Sequence, residues 1–265
     1  MVETALQTRL RSLVLASLAL ALLCLALPAS ARTLAAIRER GSISLCAHPN
    51  SLPFASRTAT PPGFQVELGQ ALAQQLGVSL ALEWVLISYQ IPRTDCDIVL
   101  DTIAASDAPM DFGFALSKPY YRSGVFLAVP PGSKLTSFND LNDHTKIAVQ
   151  SGSVAAMTID RRHVPISVFG FEEDMLEALA AHEVDAAAVT PLSAGYYNLQ
   201  HANHLVALVA PDETDRDLVW NVAIGIRRPD DQLRQAIDRA IDQLSAEGAI
   251  AGIYRRYGVS LQPPR

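Results

Sequence analysis

The sequence predicts an α/β fold in two lobes. Strand-like runs rich in β-branched residues alternate with segments whose apolar residues recur every three or four positions, and this βαβ order occurs twice in series. A third observation joins the modules: after the second one, residues 220–227 return to strand-like sequence and a strongly periodic helix follows. The expected division places residues 32–128 and 222–265 in one lobe and 129–221 in the other. The chain then crosses twice, near 128–133 and 219–224, and a ligand cleft lies between the lobes.

Each element has its own justification. Arg9 and Arg11 precede an apolar block at 13–27, then Pro28 and the small triplet Ala29-Ser30-Ala31, which is the layout of a secretory signal cut after Ala31. Removing it from 265 residues leaves 234, enough for a sizeable core. Residues 33–40 read as a short helix, and Gly41 leads into a strand at 42–47. Phe64, Leu68, Leu72 and Leu76 mark one face of a helix over 64–76 that Gly77 ends. Residues 78–85 form the second strand and 97–100 a third. Between Trp84 and Cys96 there is too little chain, interrupted by Pro92, for a full crossover helix, so an irregular or single-turn connection is expected.

Residues 123–129 read as one long apolar strand, broken by Pro130-Pro131-Gly132. The second module runs as a strand at 146–150, a Ser151-Gly152-Ser153 turn, a helix from about Val154, a strand at 167–169, a helix at 172–181 and a strand at 186–190. In the helix expected at 230–245, Leu233, Ile237, Ala240, Ile241 and Leu244 share one side. Gly248 interrupts it before a final short helix ending near Tyr257.

Composition excludes some functions. The chain carries 21 basic and 27 acidic residues, a net charge of −6 that becomes −7 without the signal. No basic stripe is present to replace the counterions of a nucleic acid. Beyond the signal, Cys46 and Cys96 remain as an even pair in an oxidising compartment, which favours a disulfide; the alternative is two buried free thiols. Two cysteines without neighbouring His or Cys at ligand spacing make a poor metal site, and neither metal nor cofactor is expected.

Six stretches, in order, carry a family resemblance: GFQVELGQALAQQLG from Gly63, CDIVL from Cys96, SKPYYRSG from Ser117, AVQSGS from Ala148, LEALAAHEVDAAAV from Leu176 and AEGAIAGIYRRYG from Ala246. Together they resemble the type 2 periplasmic solute-binding proteins of the amino-acid-receptor family. The resemblance implies a monomeric, periplasmic, non-enzymatic protein that closes on a ligand by hinge motion. Within that family, CAHPNSLPF from Cys46, the second Cys before Asp97-Ile98-Val99, and PYYRSG are most similar to solute-binding-like proteins that accompany quinoprotein alcohol and methanol dehydrogenases, which use pyrroloquinoline quinone. His48 stands where that group carries an acid. This likeness implies a quinoprotein dehydrogenase as partner, the other expectation being an ABC permease.

Receptors of the family pair an amino acid's carboxylate with an Arg after the third strand and its ammonium with an Asp after the DA-type strand. This chain reads Asp101-Thr102-Ile103-Ala104-Ala105-Ser106 at the first place, with no Arg before Arg122, and Thr190 at the second. A zwitterion held in the usual way is therefore disfavoured, because a buried unpaired charge is costly. The remaining ligand-binding candidates are Asn50 and Phe54 from the first loop, Asp101 and Thr102 from the third strand, Tyr120, Ser151, Ser153 and Thr190. Ser153 could instead cap its helix, Phe54 could be core and Tyr120 could pack a lobe face. An enzyme of dehydratase type on the same fold would need a positioned acid or base, for which Asp101 is the one good candidate at a strand end.

Overall fold

The computed structural model describes residues 32–104, 113–203, 205–212 and 215–265. The expected signal, 1–31, lies outside the described residues. The first lobe opens with α1 (Leu34–Arg40), whose Thr33 side chain accepts from the Ala36 N–H at 3.0 Å, so the predicted first helical residue is instead its cap. Next come β1 (Ser42–Ala47), the two-residue strands β2 (Asn50–Ser51) and β3 (Ala55–Ser56), α2 (Phe64–Leu76) and β4 (Ser79–Trp84). The short connection after Trp84 is a 3-10 helix, Ser88–Arg93, followed by β5 (Ile98–Ala104), β6 (Phe114–Leu116) and β7 (Tyr121–Gly124). Arg227 holds that connection: its guanidinium donates to the carbonyls of Ile91, Thr94 and Cys96, each at 2.7 Å.

The second lobe contains β8 (Phe126–Val129), β9 (Ile147–Gln150), α3 (Val154–Asp160), β10 (Ile166–Phe169), α4 (Glu172–Ala180), β11 (Ala186–Val189), α5 (Pro191–Gln200) and β12 (Ala207–Val209). The chain then returns through β13 (Val219–Arg227), α6 (Asp231–Ala246) and α7 (Ala249–Arg256). Two sheets result. One has the order β4-β1-β5-β13-β6, with β7 also on β13, and the other β10-β9-β11-β8-β12. In each sheet the three βαβ strands are parallel, and the strand beside them, β13 in the first sheet and β8 in the second, is antiparallel.

One expected strand is divided. Residues 123–129 do not run as a single strand: β7 joins the first sheet, β8 the second, and the chain changes sheet at Val125, upstream of the crossing expected at 128–133. The physical reason is a close approach. A Cβ on Gly124 would lie 2.2 Å from the Leu218 carbonyl oxygen, so the two crossing segments touch backbone to backbone. An apolar run cannot show that it serves two sheets, because both halves are equally buried.

The first lobe's core is built by α2, α6 and α7 on the sheet, with Leu45, Phe64, Leu72, Ile98, Ile237, Ile241 and Tyr254 all at 2% exposure or less. The predicted stripe on α6 is buried along its length. Asp97 at the base of β5 is fully buried and accepts from the Ser44 N–H at 2.8 Å and hydroxyl at 2.9 Å, with Arg40 paired to the same oxygen. Cys46 and Cys96 form a disulfide with Cα atoms 5.4 Å apart, which ties β1 to the segment before β5. Among the described residues, no helix is long and apolar enough to cross a membrane.

Candidate functional site

The C-terminal ends of parallel strands β1, β5, β9 and β11 are where an α/β protein of this kind presents ligand-contacting loops. After β1 the chain makes the β2–β3 hairpin and is pinned to the start of α2: the carbonyls of Pro53 and Phe54 accept from the N–H groups of Phe64 and Gln65, both at 2.9 Å. This satisfies helix-start donors that no side chain caps. The hairpin faces α4 and α5 of the second lobe across a cavity of about 700 Å³. Asn50, Ser51, Leu52 and Phe54 form one wall; Gln150, Glu172, Thr190 and Ser193 stand opposite, and Phe171 and Tyr196 add aromatic surface. Phe171 also meets His48 edge-on, ring centroids 5.9 Å apart, so the lobes touch beside the cavity.

Three of the predicted residues, Asn50, Phe54 and Thr190, therefore line one cavity. Thr190 has further duties: it caps α5, and its N–H and hydroxyl donate to the two oxygens of Glu172 at 3.0 and 2.8 Å. Burial pushes the Glu172 carboxyl above its ordinary range, with the bonds from Ser193 and Thr190 pulling partly back. Sequence reasoning missed Glu172. Its only signal is its place among three acids in the first turn of α4, which reads as ordinary helix-dipole complementarity.

The other candidates are not on the lining of this cavity. Asp101 sits in the left-handed region, φ 54°, and its carboxylate turns toward tyrosines of the first lobe. One oxygen accepts from the hydroxyls of Tyr120, Tyr121 and Tyr254, each at 2.9 Å, and the other from the Gln65 amide at 2.8 Å. Burial raises this carboxyl too, against the four donors that lower it, and no cation is among them. Burial and the neighbouring Asp101 hold all three tyrosines well above their usual range. Tyr120 is buried in this cluster, as packing rather than cavity surface. Thr102 donates to the Val99 carbonyl at 3.3 Å, and Ser153 caps the seven-residue helix α3 by accepting from Ala156 at 3.0 Å. Ser151 is exposed in the turn before it.

Chemically, the cavity offers a held carboxylate, amides, hydroxyls and aromatic rings. Among the described residues, no group of three His, Cys, Asp or Glu is placed to hold a metal. Glu172 is engaged by the N–H and hydroxyl of Thr190, and Asp101 by three tyrosine hydroxyls and the Gln65 amide.

Residues 43–260 match the family described as bacterial extracellular solute-binding proteins, family 3. The chain is 23% identical to a membrane-bound lytic murein transglycosylase F of Desulfosudis oleivorans over 86% of its own length, and spans only 51% of that protein. It is also 23% identical to the ABC transporter glutamine-binding protein GlnH of Bacillus subtilis, covering 85% of this chain and 84% of that one. Among solved structures, an ancestral cationic amino acid solute-binding protein superposes with a TM-score of 0.73 at 22% identity, over 85% of this chain and 99% of the other.

Proposed function

Because the chain belongs to the family 3 bacterial extracellular solute-binding proteins, we propose that it is an exported receptor that takes up a small polar solute between its lobes and delivers it to the permease of an ABC transporter. The observation that carries this reading is the cavity of about 700 Å³ between the first-loop hairpin and the starts of α4 and α5. Its size falls within the ordinary range for small-molecule sites, about 300–1,000 Å³. The lobes divide at the two crossings, near residues 125 and 218, and hinge there. Closure brings the hairpin and α4 together around the solute, with Asn50, Phe54, Thr190 and Glu172 as contacts. The disulfide fits the periplasm, the compartment that the signal layout of residues 1–31 implies.

The glutamine-binding relative, an ABC transporter component, supports a permease as partner. The role beside a quinoprotein dehydrogenase implied by the first-loop motif finds no such support among the relatives, and the transporter reading replaces it. Among the described residues, Asp101, the candidate acid or base for catalysis, is instead held by Tyr120, Tyr121, Tyr254 and Gln65. The test is a thermal-shift screen of the mature protein against small polar solutes, followed by solute uptake in a strain lacking the protein. A ligand at a hundred times its Kd adds about 2.7 kcal/mol to stability and raises Tm accordingly. Absence of any shift, together with co-purification of a dehydrogenase, would return the accessory role to first place.

A further inference from the structure

We infer that the cavity takes an organic cation that lacks a carboxylate, a protonated amine or guanidine, and that Glu172 holds its charge. This deepens the receptor reading and rests on it. The charge of the lining comes first. Glu172, Glu173 and Asp174 all border the cavity, and its described lining contains neither Lys nor Arg. His201, also on the lining, has its Nε2 3.5 Å from Glu177. A ligand carboxylate closed against this described lining would lose water and meet neither Lys nor Arg, which costs several kcal/mol.

The ammonium side is furnished by a different residue from the expected one. Position 190, where an Asp is expected, holds Thr, yet a carboxylate stands at the same place because Thr190 binds Glu172 through both its N–H and its hydroxyl. Two donors fix the side chain before any ligand arrives, which lowers the ordering cost of binding. Around it, Phe54, Phe171 and Tyr196 line the same cavity. A held carboxylate among aromatic rings favours an organic cation through charge pairing and cation–π attraction. The described lining thus offers a carboxylate to an ammonium and neither Lys nor Arg to a carboxylate.

Matched pairs isolate the carboxylate: putrescine against L-ornithine and agmatine against L-arginine, each titrated calorimetrically into the mature protein. In at least one pair the decarboxylated member binds at least about tenfold tighter than its amino acid, and Glu172→Gln weakens it by roughly 10- to 100-fold, the fold-change of one charge-assisted hydrogen bond. Glu39→Gln, on the exposed side of α1, leaves the affinity unchanged. To separate lost binding from lost folding, Thr190→Asp is added to Glu172→Gln; it restores a carboxylate at the expected position and recovers amine binding. If an amino acid binds as tightly as its amine, or Glu172→Gln changes amine affinity less than about threefold, the inference falls while the receptor reading stands. If no amine or amino acid in the panel binds but another solute does, the inference again falls alone. If nothing binds, both fall.

Discussion

Asp101 offers the most exacting test of the tertiary arrangement. Replacing it with Ala removes the acceptor of four donors: the hydroxyls of Tyr120, Tyr121 and Tyr254 and the amide of Gln65. The Tyr120 and Tyr254 oxygens are 3.5 Å apart, so one can donate to the other and three donors remain stranded. At about 1–3 kcal/mol each, and toward the low end where relaxation admits water, the loss is about 3–5 kcal/mol. Ala at φ 54° adds about 1 kcal/mol of backbone strain that Asp escapes. Asp101→Ala is therefore expected to cost about 4–6 kcal/mol. Asp101→Asn keeps an acceptor oxygen for the tyrosines, tolerates the left-handed region and lets the Gln65 amide turn about, so it costs about 1 kcal/mol or less.

The pair also separates by pH. Because burial raises the folded-state carboxyl above its unfolded value, its contribution is fully present below the unfolded pKa and is lost as pH rises through the folded one. Asn does not titrate, so Asp101→Asn gains on the wild type as pH goes from about 4 to about 8. Urea unfolding followed by Trp84 and Trp220 fluorescence reads both quantities. A cost below about 1 kcal/mol for Asp101→Ala, or an Asn-to-wild-type difference that does not move with pH, would refute the reasoning.

Two further outcomes follow from contacts outside the cavity. Removing the disulfide with Cys46→Ala and Cys96→Ala frees a loop with a sequence separation of 50 and should lower unfolding free energy by about 4 kcal/mol in the chain-entropy picture; an unchanged urea midpoint would contradict it. On α5, a Cβ at Gly195 would lie 2.6 Å from the Gly258 carbonyl oxygen just beyond α7, a backbone contact no rotamer can relieve. Gly195→Ala should cost about 1–3 kcal/mol, and Gly258→Ala more, since its φ is 78° and its Cβ would lie 2.4 Å from the Gly195 oxygen. Chemical denaturation of the single variants checks the order.

Much of the fold was legible because periodicity reports which face of an element is buried. The β1 and α2 boundaries coincide with those expected, and α6 shows its apolar stripe directly. Less legible was α5. Its sequence, PLSAGYYNLQ, mixes a glycine, two tyrosines and polar residues, and its one clear signal was Thr190 before Pro191, a cap followed by a first-turn proline. The short strands β6 and β12 carry too few residues for any period, and the halves of 123–129 look alike because both are buried.

By itself, the sequence determined the α/β class, the order of the two modules, the cysteine pair and the absence of any basic residue across 101–113, because each is a matter of local pattern or composition. Only the tertiary structure decided what the polar groups do. Asp101 turns toward Tyr254, 153 residues away, and Glu172 comes to Thr190 across 18 residues. Which way a carboxylate points depends on the donors that packing brings to it from distant parts of the chain.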